Sequence, residues 1–293
     1  MATPPFARVL VVGTGMIGGS VAGRIRLSRP GTEVVGLDPD ERGARMLVER
    51  GLLDRAAPPD RLAPEVAAAD LVVLAAPPAA IVDLLPRVAA ALGPEAIATD
   101  VASVKGRILQ EARRLFPAGR DRFVGGHPLA GTEKRGPTHA DPDALDGAVW
   151  CLVPFGDESD PALRRLAPFL TGCGVRPVVL DAASHDRTVA LTSHLPHVLA
   201  FSLALAAGSA AAELPHLPDL VGRSFRDATR VAASDPALWD QILRANRPAV
   251  REALDRFRQA LSAAEAALAE GDLAGFLRRA GESARRCRPG VEG

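Results

Sequence analysis

The chain has 293 residues, of which 47% are hydrophobic and 24% charged, so its composition is that of a globular protein with enough core for two domains. Lysine plus arginine equals aspartate plus glutamate, at 35 each, and this balance argues against general binding to nucleic acid or to a membrane surface. The longest apolar stretch, residues 198–212, is alanine-rich and too short to predict a membrane span.

The cysteines and the N-terminus indicate the compartment. Cys151, Cys173 and Cys287 form no CxxC pair and no metal-ligand spacing, which favours buried or inert thiols in a reducing environment. The first residues show no charged region followed by an apolar core and a cleavage site. We therefore expect a cytoplasmic protein.

Strand-like and helix-like patterns alternate through the first 181 residues. Strands are predicted at 8–12, 33–37, 71–75, 96–100, 122–125, 148–153 and 175–180, and helices at 17–27, 41–50 and 81–92. Because strands that alternate with helices form parallel sheets covered on both faces, we expect an α/β, doubly wound, mostly parallel sheet.

The character of the chain changes after Asp181, where alanine, leucine and arginine dominate and strand-like runs stop. One helical stripe is formed by Val250, Leu254, Phe257, Leu261 and Leu268. The sequence therefore predicts an N-terminal sheet domain over residues 1–181 and an all-helical domain over residues 182–293.

A glycine motif, GTGMIG at residues 13–18, follows the first strand and opens the first helix. In this context Gly13 permits a tight turn, Gly15 lets the backbone approach a pyrophosphate, and Gly18 allows close packing of helix and strand. The free N–H groups at the start of the helix favour an anion. The motif predicts a Rossmann-type dinucleotide site rather than an ordinary glycine turn.

Asp38 ends the second strand, 20 residues after Gly18. A carboxylate there binds the adenosine ribose hydroxyls and repels a 2′-phosphate, so we expect NAD rather than NADP, although Arg42 nearby leaves NADP open. Later strands end at Ala76-Pro77 and just before Ser103, at the edge where such sheets bind ligands. On spacing alone, Ser103 is either a nicotinamide contact or a helix N-cap. The residues assigned to the cofactor are Gly13, Gly15, Met16, Ile17, Gly18, Asp38, Ala76, Pro77 and Ser103.

Histidine and arginine residues supply the candidates for chemistry. His127 follows a predicted strand, where an imidazole can act as a base. His194 and His197 lie three residues apart on a predicted helix, but no third ligand at matched spacing is evident, so no metal site is predicted. Arg226 and Arg230 lie four apart, which fits either a solvated helix face or a guanidinium fork that holds a carboxylate.

With these motifs in this order, the chain resembles the prephenate/arogenate dehydrogenases of tyrosine biosynthesis. The resemblance runs from Gly13 to about Asn246 and rests on residues 100–105, 127–133, 185–186, 193–197 and 225–230, followed by Trp239. It implies an N-terminal Rossmann domain, a C-terminal helical domain that forms a homodimer, an active site between them, NAD as cofactor and a small-molecule substrate.

The resemblance also implies roles for individual residues. His127 is implied to be the catalytic histidine that accepts a hydrogen bond from the ring hydroxyl, and Ser103 to contact both His127 and the nicotinamide. Arg230 is implied to bind a substrate carboxylate. The remaining residues implied to surround the substrate are His194, His197, Thr132, Glu133, Asp227 and Trp239.

Other dehydrogenases, a nucleotide sensor and a different substrate are the alternative functions for this sequence. Related two-domain dehydrogenases of hydroxyacids, or imine reductases, rely on a lysine in the helical domain or lack the His127 cluster, and residues 181–250 contain no lysine. A non-enzymatic nucleotide sensor predicts a decayed site, whereas His127, Ser103 and Arg230 are in place. Arogenate carries an ammonium group where prephenate has a keto group, so Glu133 and Asp227 leave the choice of substrate open, with prephenate favoured.

Overall fold

The computed structural model describes residues 6–116, 122–130, 134–157 and 159–287. In this part of the chain, strands alternate with helices before the fold becomes helical. The strands are β1 (Arg8–Val12), β2 (Glu33–Leu37), β3 (Arg55–Ala57), β4 (Leu71–Leu74), β5 (Ile97–Asp100), β6 (Phe123–Pro128), β7 (Val149–Val153) and β8 (Arg176–Val179). The α-helices are α1 (Met16–Ser28), α2 (Glu41–Glu49), α3 (Leu62–Ala68), α4 (Pro78–Ala91), α5 (Gly106–Leu115), α6 (Pro161–Thr171), α7 (Ala182–Val189), α8 (Leu195–Ala210), α9 (Arg223–Thr229), α10 (Pro236–Ala245), α11 (Arg247–Glu270) and α12 (Leu273–Cys287).

The eight strands of the described residues form one sheet in the order β3-β2-β1-β4-β5-β6-β7-β8. Neighbouring strands are parallel except β6 and β7, which are antiparallel. Strand order reverses direction between β1 and β4, and open α/β sheets bind ligands beyond the carboxyl ends of the strands at such a reversal. The predicted doubly wound, mostly parallel sheet is confirmed.

Helices cover both faces of the sheet, so the strands are buried on both sides. Alternate side chains of a strand point to opposite faces. Val9 and Val11 of β1 belong to the core beneath α1, α2 and α6, whereas Leu10 and Val12 belong to the core beneath α3, α4 and α5. This double coverage explains why the strands read as continuous apolar runs in the sequence.

The helical domain has a small core of its own. Ala190, Leu195, Val250 and Ala253 are buried together there. The helical stripe predicted on α11 is divided between core and surface: Val250, Leu254 and Phe257 pack inward, whereas Leu261 and Leu268 are exposed. The prediction of an all-helical second region is confirmed.

The expected length of the apolar segment needs correction. Residues 182–210 form one continuous helical run of 29 residues, long and apolar enough by length and composition alone to cross a membrane, with 28% of its apolar window buried. The run is longer than the segment predicted from the sequence because α7 continues through a π-helical turn into α8. Cys151 and Cys173 are buried as expected, but Cys287 is exposed.

Candidate active site

The glycine loop between β1 and α1 is closely packed on one side and open on the other. Gly13 has φ +98°, and a Cβ on it would lie 2.3 Å from the carbonyl oxygen of Ala75. A Cβ on Gly18 would lie 1.8 Å from the carbonyl oxygen of Gly13, whereas one on Gly15 would meet no atom within 4 Å. The loop therefore presents the N–H end of α1 to open space beside Gly15, which is the cradle that a pyrophosphate requires.

Asp38 lies at the end of β2 and holds this loop in place. Its carboxylate accepts hydrogen bonds from the backbone N–H groups of Thr14, at 2.6 Å, and Asp40, at 2.8 Å. The side chain is half-buried beside the glycine loop, and Arg42 follows in the first turn of α2. The residues present thus fit a dinucleotide whose adenosine end lies beside a carboxylate.

A cleft of about 520 Å³ lies between the sheet domain and the helical domain, at the carboxyl ends of β1, β4 and β5. Residues from the glycine loop, the loop after β5, the end of β6 and helices of the second domain line it together. Of the predicted site residues, it brings together Gly15, Met16, Ile17, Ala76, Pro77, Ser103, His127, His197, Arg230 and Trp239.

The loop after β5 is fixed by a buried ion pair. Lys105 is fully buried and donates hydrogen bonds to the Asp100 carboxylate and, at 2.7 Å, to the carbonyl oxygen of Gly126. Burial lowers the pKa of Lys105, and the negative charge of Asp100 opposes that shift. Ser103 faces the cleft in this loop, and the N-cap of α5 is Lys105 rather than Ser103.

His127 is the second-to-last residue of β6 and directly follows Gly126, whose carbonyl oxygen accepts a hydrogen bond from Lys105. Its Nδ1 is 2.9 Å from Nε2 of His185 on α7. Burial lowers the pKa of His127 well below its ordinary value of 6.5, and the electrostatic influence of His185, Lys105 and His194 lowers it further. The imidazole is therefore neutral at pH 7 and able to accept a proton.

Sequence reasoning assigned no role to His185 and Asp186, which the fold places behind His127. Nδ1 of His185 is 2.8 Å from Asp186, and the Asp186 carboxylate also accepts the backbone N–H groups of Lys105 and Gly106, each at 2.9 Å. Burial disfavours the ionised form of Asp186, but these hydrogen bonds outweigh it and the pKa is lowered. The available sequence signal was the His-Asp pair itself, which is one of the parts of the family resemblance.

His194 and His197 have different environments, because a π-helical turn over residues 190–194 separates α7 from α8. His194 is fully buried, and its Nδ1 accepts a hydrogen bond from the side-chain amide of Asn246 at 3.1 Å. Burial lowers the pKa of His194 to about 4. His194 is therefore neutral, and it lies behind the cleft rather than on its lining.

His197 stacks on Trp239 at the cleft wall, with ring centroids 3.5 Å apart. Its Nδ1 donates a hydrogen bond to the carbonyl oxygen of Ser193 at 2.9 Å. Burial lowers the pKa of His197, the hydrogen bond to Ser193 opposes that shift, and the charge of Arg230 adds to it. His197 thus offers the cleft an uncharged ring with an acceptor nitrogen, not a cation.

Arg230 follows α9 and lines the cleft. Arg226 and Asp227, which the sequence also made candidates, do not line it. Arg226 is exposed and donates to the carbonyl oxygen of Val221 at 3.1 Å. Asp227 is exposed and pairs with Arg223 at 3.4 Å. The guanidinium fork suggested by the spacing of Arg226 and Arg230 is therefore not formed at the cleft.

Further charged residues come from the segment before β7. Lys134 and Arg135 both line the cleft, and Arg135 forms an ion pair across it with Asp235, the N-cap of α10. Sequence reasoning did not single them out. Thr132 and Glu133 lie outside the described residues. Within the described chain, no group of three histidine, cysteine, aspartate or glutamate side chains has the arrangement of a metal site.

Comparisons with known proteins agree with this geometry. Residues 21–179 match the family model described as "Prephenate dehydrogenase, nucleotide-binding domain", and residues 181–281 match "Prephenate dehydrogenase, dimerization domain". The chain is 32% identical over 255 residues to the prephenate dehydrogenase of Lactococcus lactis subsp. cremoris, which covers 87% of this chain and 69% of that protein.

Solved structures share the whole architecture. The prephenate dehydrogenase of Aquifex aeolicus in complex with hydroxyphenyl propionate and NAD⁺ matches with a TM-score of 0.84 and 28% identity, over 96% of this chain and 98% of that one. Synechocystis arogenate dehydrogenase matches with a TM-score of 0.80 and 30% identity, over 96% and 100% of the two chains. The chain belongs to the prephenate dehydrogenase family, a family of NAD-dependent oxidoreductases.

Proposed function

We propose that the protein catalyses the NAD-dependent oxidative decarboxylation of prephenate to 4-hydroxyphenylpyruvate, with release of CO₂ and NADH, as a step of tyrosine biosynthesis. The observation that carries the proposal is the convergence of a neutral imidazole, His127, and a cation, Arg230, on one cleft whose floor is the glycine loop. Family membership and the NAD⁺ complex of the Aquifex aeolicus relative support it.

The cofactor belongs along the glycine loop, with its nicotinamide end toward Ser103 and Pro77 and its adenosine end toward Asp38. When bound, the nicotinamide supplies a hydride acceptor. The open space at Gly15 admits the phosphates, and the Asp38 carboxylate favours ribose hydroxyls over a 2′-phosphate. We therefore propose NAD over NADP.

His127 acts as the base for the substrate's 4-hydroxyl group. Because its pKa is depressed, the ring is uncharged at neutral pH and takes up the hydroxyl proton as the carbon bearing that group is oxidised. The ring carboxylate then leaves as CO₂ while the ring becomes aromatic, so this step needs no metal to accept electrons. The protein's main task is to hold the substrate carbon and the base in register.

Arg230 binds the side-chain carboxylate of the substrate. A cation held against the ring carboxylate would oppose the loss of CO₂, so we place Arg230 on the carboxylate that stays. His194 and His197, which the resemblance implies surround the substrate, are both uncharged at neutral pH and supply no second cation. We propose Lys134, which lines the same cleft, as a second cation for the side-chain carboxylate that stays.

The choice of prephenate over arogenate rests on the acids near the cleft. Arogenate would need a carboxylate for its ammonium group. Asp235 is the one carboxylate among the described residues that line the cleft. It forms an ion pair with Arg135 and accepts hydrogen bonds from N–H groups at the start of α10. Asp227 is exposed outside the cleft lining, and Glu133 lies outside the described residues. Arogenate remains the second candidate because the Synechocystis relative bears that name.

The activity test is the increase of NADH absorbance with prephenate and arogenate offered separately, each with NAD⁺ or NADP⁺. We expect prephenate with NAD⁺ to give the highest kcat/KM, and turnover of arogenate alone would reverse the assignment. Arg230→Ala is expected to raise KM for prephenate by roughly 10- to 100-fold, the value of a charged hydrogen bond, with little change in KM for NAD⁺. Arg226→Ala is the matched control, because Arg226 lies four residues earlier on α9 and outside the cleft lining.

We also propose a cytoplasmic homodimer formed through the helical domain. Leu205 on α8 is 75% exposed, and Leu268 and Leu277 are 67% and 58% exposed, so this domain leaves large apolar side chains uncovered. A second copy that covers α8 accounts for the apolar run of residues 182–210 without a membrane, and the matched dimerization-domain model supports this.

A further inference from the structure

We propose that His185 and Asp186 are positioning residues that fix the tautomer of His127, so that Nε2 of His127 is the nitrogen that receives the substrate proton. This inference rests on the proposed function and deepens it. It gives a role to a buried pair on α7 that belongs to the helical domain, whereas His127 belongs to the sheet domain.

The direction of the hydrogen bonds follows from the inventory of donors, starting at Asp186. An ionised carboxylate only accepts hydrogen bonds. Asp186 accepts one from each backbone N–H of Lys105 and Gly106, so its partner His185 must donate from Nδ1 at 2.8 Å. In neutral His185 the proton therefore lies on Nδ1, and Nε2 carries the lone pair.

The same reasoning determines the tautomer of His127. Nε2 of His185 is an acceptor, so Nδ1 of His127, 2.9 Å away, must carry a proton and donate it. Neutral His127 then has its lone pair on Nε2, the nitrogen left for the cleft that this residue lines. In the opposite tautomer, Nε2–H and the substrate hydroxyl would both be donors, and no base would face the hydroxyl.

Proton transfer is balanced within this arrangement. The O–H bond of the substrate breaks and an N–H bond forms at Nε2 of His127, which becomes an imidazolium that still donates from Nδ1 to His185. The ionised Asp186 faces that charge through His185 and stabilises it. The other titratable groups around the pair are cationic or neutral: Lys105, which is paired with Asp100, and His194, whose Nδ1 is held by Asn246.

His185 variants test this assignment. Gln at position 185 places its amide oxygen close to the position of Nε2 and keeps an acceptor, whereas Met keeps the bulk and removes it. We expect His185→Met to lower kcat by roughly 10²-fold or more, since a wrong histidine tautomer costs about 10⁴-fold in a Ser-His-Asp triad. We expect His185→Gln to recover most of the loss and the affinity for NAD⁺ to be similar in both variants.

The pH profile and the ring signals of His127 separate positioning from mere structural support. In substrate-free wild-type protein, ¹⁵N NMR is expected to show His127 protonated at Nδ1, and the Met variant is expected to show the other tautomer or a mixture. A neutral wild-type His127 protonated at Nε2 overturns the inference, as does a Met variant with wild-type kcat and pH profile. If wild-type protein oxidises neither prephenate nor arogenate, the proposed function fails while the tautomer measurement still tests the positioning.

Discussion

Replacing His194 by Asn is expected to remove a large part of the acid sensitivity of the fold. His194 is fully buried, and burial lowers its pKa from 6.5 to about 4. The unfolded chain therefore binds this proton more readily than the folded chain, so the free energy of unfolding falls as pH drops from about 6.5 toward 4. One pKa unit is worth about 1.4 kcal/mol, so the full effect is about 3 kcal/mol, of which about 2 kcal/mol is lost between pH 7.5 and pH 5.

The assay is urea unfolding at fixed protein concentration, followed by circular dichroism at pH 7.5 and pH 5. His194→Asn keeps an oxygen that can accept the hydrogen bond from Asn246 but cannot titrate, so its stability should depend less on pH than that of the wild type by about 2 kcal/mol. His216→Asn is the matched control, because that side chain is 84% exposed. If His194→Asn loses stability as steeply as the wild type, burial does not control the charge of His194 and the reasoning fails.

Three further outcomes follow from the site and the surface. His127→Asn is expected to lower kcat by about 10²- to 10⁴-fold, with the Kd for NAD⁺ from fluorescence titration nearly unchanged. Gly15→Ala is expected to keep the melting temperature but weaken NAD⁺ binding, whereas Gly18→Ala is expected to lower the melting temperature, because its Cβ would lie 1.8 Å from a backbone oxygen. Leu205→Asp is expected to give monomers in analytical ultracentrifugation, since this leucine is 75% exposed on the proposed interface.

A different result in each experiment would contradict the prediction. Unchanged kcat in His127→Asn would remove that residue from proton transfer. Equal NAD⁺ affinity in Gly15→Ala and the wild type would mean that the phosphates do not approach this glycine. A dimer that survives Leu205→Asp, with exposed Arg226→Ala as the reference surface variant, would place the interface elsewhere than on α8.

The sheet was predictable from the sequence because helices cover both of its faces. Strands buried on both sides carry uninterrupted apolar runs, and those runs are visible in a single sequence. The elements that were missed include helices α3, α5 and α6 and the strand β3, which has only three residues and whose Arg55 pairs with Glu65 at 2.7 Å. The antiparallel direction of β7 was also missed, because an apolar run does not encode the direction in which a strand pairs.

The candidate site was predictable where a residue lines the cleft and belongs to a motif, as His127 and Ser103 do. It was not predictable where a residue acts through a partner distant in sequence. His127 and His185 are 58 residues apart, and Asn246 lies 60 residues from the carbonyl group of Asp186 that it binds. Periodicity within one helix reports which face is buried, but it carries no information about which buried polar groups meet.

The two domains contribute residues to the same cleft, and the contacts between them differ in strength. On the side of His127, Asp186 accepts the N–H groups of Lys105 and Gly106, and leaving the buried N–H of Lys105 unpaired would cost about 1–3 kcal/mol. Across the cleft, Arg135 pairs with Asp235, but the arginine is 61% exposed, and a pair of that kind contributes about 0–1 kcal/mol. The contacts that orient His127 are therefore the more costly ones to break. Docking of the helical domain and orientation of His127 thus depend on the same carboxylate.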